Sequence, residues 1–144
     1  YWAICRYGLR YFSDPSKVVA ELGRVLKPGG RLYLSDWSSP TDVVNELFSL
    51  LDPAHNAVYD KEWWEGEVLD QPFDIVNSRM RLNRIDPVVW GALGGLSAEE
   101  SLSIFKTFTE KAEKEGRKLH VMTLDERPVL IANRFEILAL RTNE

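Results

Sequence analysis

Between Tyr1 and Trp37 the chain reads YWAICRYGLRYFSDPSKVVAELGRVLKPGGRLYLSDW, and no other stretch limits its fold so tightly. Tyr1 to Cys5 is apolar and aromatic without clean alternation, the pattern of a strand buried on both faces. A helix follows. Ser13 or Asp14 serves as its N-cap, Pro15 enters the first turn, and Val18, Leu22, Val25 and Leu26 form one apolar stripe. Pro28-Gly29-Gly30 stops the helix after Lys27, and RLYLSDW begins a second short strand. A strand-helix-strand unit of this length is a crossover between parallel strands, so the predicted fold class is α/β.

The glycine pair itself carries no ligand. Glycines beside a strand cradle a phosphate when backbone N–H groups at a helix N-terminus point at it. Gly29 and Gly30 follow a helix C-terminus, where carbonyls are exposed, so their role is to turn the chain.

Further along, Thr41 to Leu51 has helical spacing (Val43, Val44, Leu47, Phe48, Leu51), and Asp52-Pro53 ends it. Residues 54 to 72 have no clean period and are rich in aromatics and acids, which predicts an irregular excursion with short helices. Phe73 to Leu82 alternates as a strand, with Val76, Met80 and Leu82 on one face and Arg79 and Arg81 on the other. Gly91, Gly94 and Gly95 read as a loop. Ser97 and Glu100 form a capping box, and Leu102, Phe105, Phe108 and Ala112 mark the buried face of a helix closed by Gly116. KLHVMTL is a candidate strand, and the last strand is expected from Arg134 to Arg141. There is no internal repeat or low-complexity linker, so residues 1–144 are expected to form a single unit.

Composition narrows the functions. With 144 residues and 44% hydrophobic content the chain can bury a core of its own. Its formal charge of −4 gives no footprint for a phosphate backbone, which argues against nucleic acid. The single cysteine, Cys5, excludes an intrachain disulfide and a cysteine metal site, and cytoplasm is the expected compartment. No apolar run has the length of a membrane span. No His, Asp or Glu spacing points to a metal, and no Ser/His/Asp set points to hydrolysis. The chain starts without Met and in mid-strand, which suggests a fragment lacking its N-terminal part.

The run ICRYGLRYFSDPSKVVAELGRVLKPGGRLYLSDW, Ile4 to Trp37, resembles the fourth-to-fifth-strand region of class I S-adenosylmethionine-dependent methyltransferases. It is nearest to the ubiquinone and menaquinone C-methyltransferases. The resemblance covers about a quarter of the chain. It implies the C-terminal half of a Rossmann-like seven-stranded sheet ordered 3-2-1-4-5-7-6, with strands 4-5-7-6 present, the final strand antiparallel, and residues 38–72 as an insertion or substrate lid. The family's glycine-rich cofactor loop and ribose-binding acid have no counterpart in the sequence. The resemblance therefore implies a methyltransferase portion that is inactive alone.

Ligands of open α/β sheets lie beyond the carboxyl ends of the strands. By resemblance, Cys5, Arg6 and Tyr7 would line the methionine part of S-adenosyl-L-methionine, although Cys5 and Tyr7 could equally be packing residues. Asp36, at a strand end, is the candidate catalytic base if the nucleophile must lose a proton, with His55 and Asp52 as further candidates on the excursion. An Asp after a strand also commonly caps a turn. Trp37, Tyr59 and Trp63, with Trp64, would suit the wall of a pocket for a small organic acceptor, and they suit a packed satellite core equally well. Arg10 and Arg6, with Arg79 and Arg81, could meet an anionic acceptor. His120 carries no assigned role. A different class of reading remains open: a non-catalytic α/β module that forms a homodimer through the unpaired edge of Tyr1 to Cys5.

Overall fold

The computed structural model describes residues 1–38 and 42–143. The elements, in order, are β1 (Trp2–Arg6), a 3-10 turn (Leu9–Tyr11), α1 (Pro15–Val25), β2 (Arg31–Ser38), α2 (Asp42–Leu51), α3 (Lys61–Leu69), β3 (Phe73–Ile85), α4 (Pro87–Leu93), α5 (Ala98–Lys114), β4 (His120–Leu124) and β5 (Arg127–Arg141). The expected helix start at Thr41 lies outside the described residues.

Strand order is β1-β2-β5-β3, with β4 pairing on β5. β1 runs parallel to β2, with Cys5 opposite Leu34, and β2 runs antiparallel to β5, with Leu34 opposite Ile137. The class is α/β with a mixed sheet, and the antiparallel last strand agrees with expectation. The expected burial of β1 on both faces is corrected. Trp2 and Ile4 are exposed, while Ala3 and Cys5 pack against the core. Among the described residues, nothing covers the face of β1 that carries Trp2 and Ile4.

Contacts divide the chain into two compact units. The first contains β1, α1, β2, α3, the start of β3 and the end of β5. Its core joins Leu32 and Leu34 of β2 and Phe135, Ile137 and Ala139 of β5 to Val19 of α1 and to Trp64 and Val68 of α3. Helix α1 is capped by Asp14, whose side chain accepts from the Lys17 N–H. Its inward face is set by Pro15, Val19 and Gly23, whereas Val25 of the expected stripe is exposed. The glycine pair makes the turn through Gly29, at φ 76, a conformation in which an L side chain would be strained. That turn is fastened to the far end of β5: Gly29 N–H donates to Arg141 O at 2.9 Å, and Arg141 N–H to Gly30 O at 2.8 Å.

The second unit contains α2, α4, α5, β4 and the adjoining ends of β3 and β5. Phe48 of α2 stacks on Trp90 of α4 with ring centres 4.2 Å apart. Helix α5 carries the expected capping box between Ser97 and Glu100, and Phe105, Phe108 and Ala112 are buried. Helix α4 was not expected. Gly91 lies inside it because the helix packs so closely on α5 that an added Cβ would stand 1.8 Å from Ser101 Oγ.

Candidate functional site

Because β1 and β2 are parallel, their carboxyl ends meet at one rim of the first unit. Arg6 closes β1, and Tyr7 leaves it with φ 56, a left-handed conformation that is costly for a bulky residue. The Tyr7 N–H still continues the sheet pattern, donating to Ser35 O at 2.8 Å. Its ring lies 5.4 Å from that of Trp37, and its hydroxyl accepts a hydrogen bond from Arg134 Nη1 at 3.0 Å. The Arg6 guanidinium carbon sits 5.0 Å from the centre of the same ring. Arg134 belongs here because β5 is antiparallel and places it opposite Trp37.

Asp36 points to the other side of the sheet from Trp37 and is 2% exposed. Its Oδ1 accepts the Trp37 N–H at 2.8 Å and its Oδ2 the Arg10 N–H at 3.2 Å, and Leu9 N–H also faces it. Burial pushes its carboxyl above the usual range, against the pull of those N–H groups and of the Arg10 charge. The carboxylate thus ties the turn after β1 to the end of β2. Cys5 lies on the core side, and burial, with the Asp36 charge, raises its thiol.

Arg10 is buried. Its guanidinium lies over the Tyr11 ring, and its carbonyl accepts from Asn56 and Ala57 N–H. Tyr59 and Trp63 stack with ring centres 4.1 Å apart and pack against the core cluster around Trp64. The rim thus gathers Arg6, Tyr7 and Trp37, while Cys5, Arg10, Tyr59 and Trp63 lie within packing. Asp52 and His55 belong to the second unit. There Asp52 accepts from the Ala54 N–H, and His55 Nε2 bonds to Asn45 Oδ1 at 3.0 Å.

Two rim residues escaped the sequence reading, Arg134 and Glu136. Glu136 is 7% exposed and takes Arg79, Arg81 and Arg134 onto one carboxylate. The available signal was alternation: in RFEI, the charged Arg134 and Glu136 share one face and Phe135 and Ile137 the other. Among the described residues there is no group of acids, His and Cys able to hold a metal, and no helix is long and apolar enough to cross a membrane.

An S-adenosylmethionine cradle needs unspent backbone donors around the ligand. Here the Tyr7 N–H is used by Ser35, and the Leu9, Arg10 and Trp37 N–H groups are used by Asp36. Among the described residues, these groups do not by themselves make such a cradle.

The ubiE/COQ5 methyltransferase family profile matches residues 2–51. The chain is 31% identical over 127 residues to the uncharacterized methyltransferase YcgJ of Bacillus subtilis, covering 85% of this chain and 50% of that protein. It is 42% identical over 43 residues to the ubiquinone/menaquinone biosynthesis C-methyltransferase UbiE of a Marinomonas species, covering 29% of this chain and 17% of that one. The fold matches a proposed methyltransferase of Bacillus halodurans C-125 with a TM-score of 0.78 at 22% identity, over 99% of this chain and 64% of that one. It matches the Bacillus subtilis YcgJ structure with a TM-score of 0.74 at 24% identity, over the same shares. The chain spans about half the length of YcgJ, the curated relative that it matches along most of its own length. It belongs to the class I S-adenosylmethionine-dependent methyltransferases, in their ubiE/COQ5-like branch.

Proposed function

We propose that these residues are the C-terminal portion of a methyltransferase that uses S-adenosyl-L-methionine and acts on a small molecule, and that alone they do not transfer a methyl group. The observation that carries this reading is the rim at the ends of β1 and β2, where Arg6, Tyr7 and Trp37 converge with no cofactor cradle beside them among the described residues. Methyl transfer depends chiefly on alignment in a dry pocket, so a rigid wall is a useful contribution in itself. In this reading Arg6 and Tyr7 form the methionine side, Trp37 faces the acceptor, and Cys5, Arg10, Tyr59 and Trp63 support that wall from behind. Asp36 holds the rim together and is not free to act as a base. Calorimetry of the 144-residue chain with S-adenosylmethionine should show no binding, whereas a longer chain with a glycine-rich strand-helix turn upstream should bind. Tight binding by the short chain, or none by the longer one, would overturn the reading.

A second reading, a self-associating α/β module, is favoured by one observation. Among the described residues β1 pairs on one side only, and Tyr1, Trp2 and Ile4 are 85%, 54% and 68% exposed. Sedimentation at micromolar concentration decides it: a dimer abolished by Ile4→Lys supports the module, and a monodisperse monomer removes it.

A further inference from the structure

The chain is acidic overall, with a formal charge of −4, yet one face of the first unit's sheet concentrates cations. On that face three guanidinium groups, from Arg79, Arg81 and Arg134, meet the single carboxylate of Glu136. Glu136 braces the array and leaves it with positive charge in surplus. Arg79 and Arg81 keep about half their side-chain surface open to solvent, at 52% and 49%, so the outer members of the array face an incoming anion first.

Arg134 differs from the other two. It is 9% exposed, with Nη1 on the Tyr7 hydroxyl and Nη2 on Glu136. Its Nε is buried and finds no hydrogen-bond partner among the described residues, and neither does the Oγ of Ser35. Ser35 stands opposite Glu136 in the β2–β5 register, next to the Trp37–Arg134 pair. Buried donors are almost always satisfied, and a charged one left open marks a place for an acceptor the protein itself does not supply. A polyoxygen anion suits this set. It takes hydrogen bonds from planar guanidinium edges in pairs and accepts from a hydroxyl at the same time.

We propose that Arg134, with Ser35 and the flanking Arg79 and Arg81, binds an oxyanion group, a carboxylate or a phosphate, of the methyl acceptor. The anion takes the open Nε–H of Arg134, while Tyr7 on Nη1 and Glu136 on Nη2 hold the guanidinium in place. The acceptor's body then lies toward Trp37, across the strand pair from Arg134. The assignment to an acceptor rests on the methyltransferase reading; the oxyanion site itself does not.

The test is a titration of the full chain, followed through the arginine Nε–H signals in nitrogen-15 spectra. The probes are inorganic phosphate and benzoate, in separate arms at constant ionic strength, with chloride as control. A saturable shift of the Arg134 signal with phosphate identifies a phosphorylated acceptor, with benzoate a carboxylate, and either supports the site. Arg134→Gln should weaken binding about tenfold, as loss of a charge-assisted hydrogen bond implies. Arg24→Gln, on the exposed face of α1, should change nothing. Should Arg134→Gln fail to fold, Arg81→Gln at the surface decides, with an expected loss of about threefold. A shift that chloride reproduces, no shift at all, or equal affinity in the folded variants overturns the proposal. No cofactor enters the titration, so its failure is separable from failure of the methyltransferase reading, which calorimetry tests.

Discussion

The phenol of Tyr7 accepts a hydrogen bond from Arg134 Nη1 at 3.0 Å, joining residues 127 positions apart. The contact exists because two backbone facts coincide. Tyr7 turns out of β1 through a left-handed conformation, and β5 runs antiparallel to β2 so that Arg134 arrives beside Trp37. The strained tyrosine is therefore held by its hydroxyl at one end and its ring at the other.

Tyr7→Phe should keep the ring contact with Trp37 and remove the acceptor for Arg134. A buried donor left without its partner costs about 1–3 kcal/mol, so urea unfolding should show a loss in that range. An unchanged midpoint would mean that the hydroxyl contributes nothing to holding the rim.

Asp36 should give stability an acid-side slope. Its folded-state pKa is raised by burial, so the folded protein retains a proton that the unfolded chain has already released. Stability is fully favoured below the ordinary aspartate value, declines as pH rises through the folded-state value, and is level above it. Asp36→Asn should remove this slope, and Asp36→Ala should cost about 2–4 kcal/mol by leaving the Arg10 and Trp37 N–H groups unmet. Thermal melts from pH 3 to 7 read both effects.

Glu136 should give the opposite slope. Burial alone would raise its pKa, but hydrogen bonds from Arg79 and Arg81 and the Arg134 charge bring it below the usual glutamate range. Its stabilisation is present above the unfolded value and is lost as pH falls through the folded one. Glu136→Gln should remove that loss and cost about 2–3 kcal/mol at neutral pH, less than for a fully buried network because two of the arginines are half in solvent. The same melts, run on this variant, separate it from Asp36.

Gly91→Ala should destabilise the second unit by about 1–3 kcal/mol through overpacking against Ser101. Removing the obstructing side chain should restore the fit, so Gly91→Ala combined with Ser101→Gly should recover part of the loss. A purely additive double mutant, measured by denaturant unfolding, would show that the close approach is not the cause.

The elements legible in the sequence were those whose signals are local. Asp14, Pro15 and the glycine pair bracket α1, and the Ser97–Glu100 box opens α5. Helix α4 has local signals too, an Asp86 cap and Pro87 at its start, which a loop reading based on Gly91, Gly94 and Gly95 leaves out. Gly91 answers to a neighbouring helix, and that requirement is not written in its own segment. β1 was read as doubly buried because its composition is apolar, and composition does not say how many layers cover a strand. At the site, Tyr7 and Trp37 could be placed from the crossover alone. Arg134 and Glu136 could not, because their relation to the rim depends on where a strand made almost a hundred residues later inserts.

That insertion also sets the order in which these strands can pair during synthesis. β5 lies between β2 and β3 but is translated after both. Until it emerges, β2 has only β1 beside it, β3 lacks this neighbour, and the Gly29-Gly30 turn has no Arg141 to hold. The border of β2 thus stays unmatched from Ser38 until Arg127 is made, and that of β3 from Ile85, a window in which a chaperone or a sister chain can pair with them before β5 does.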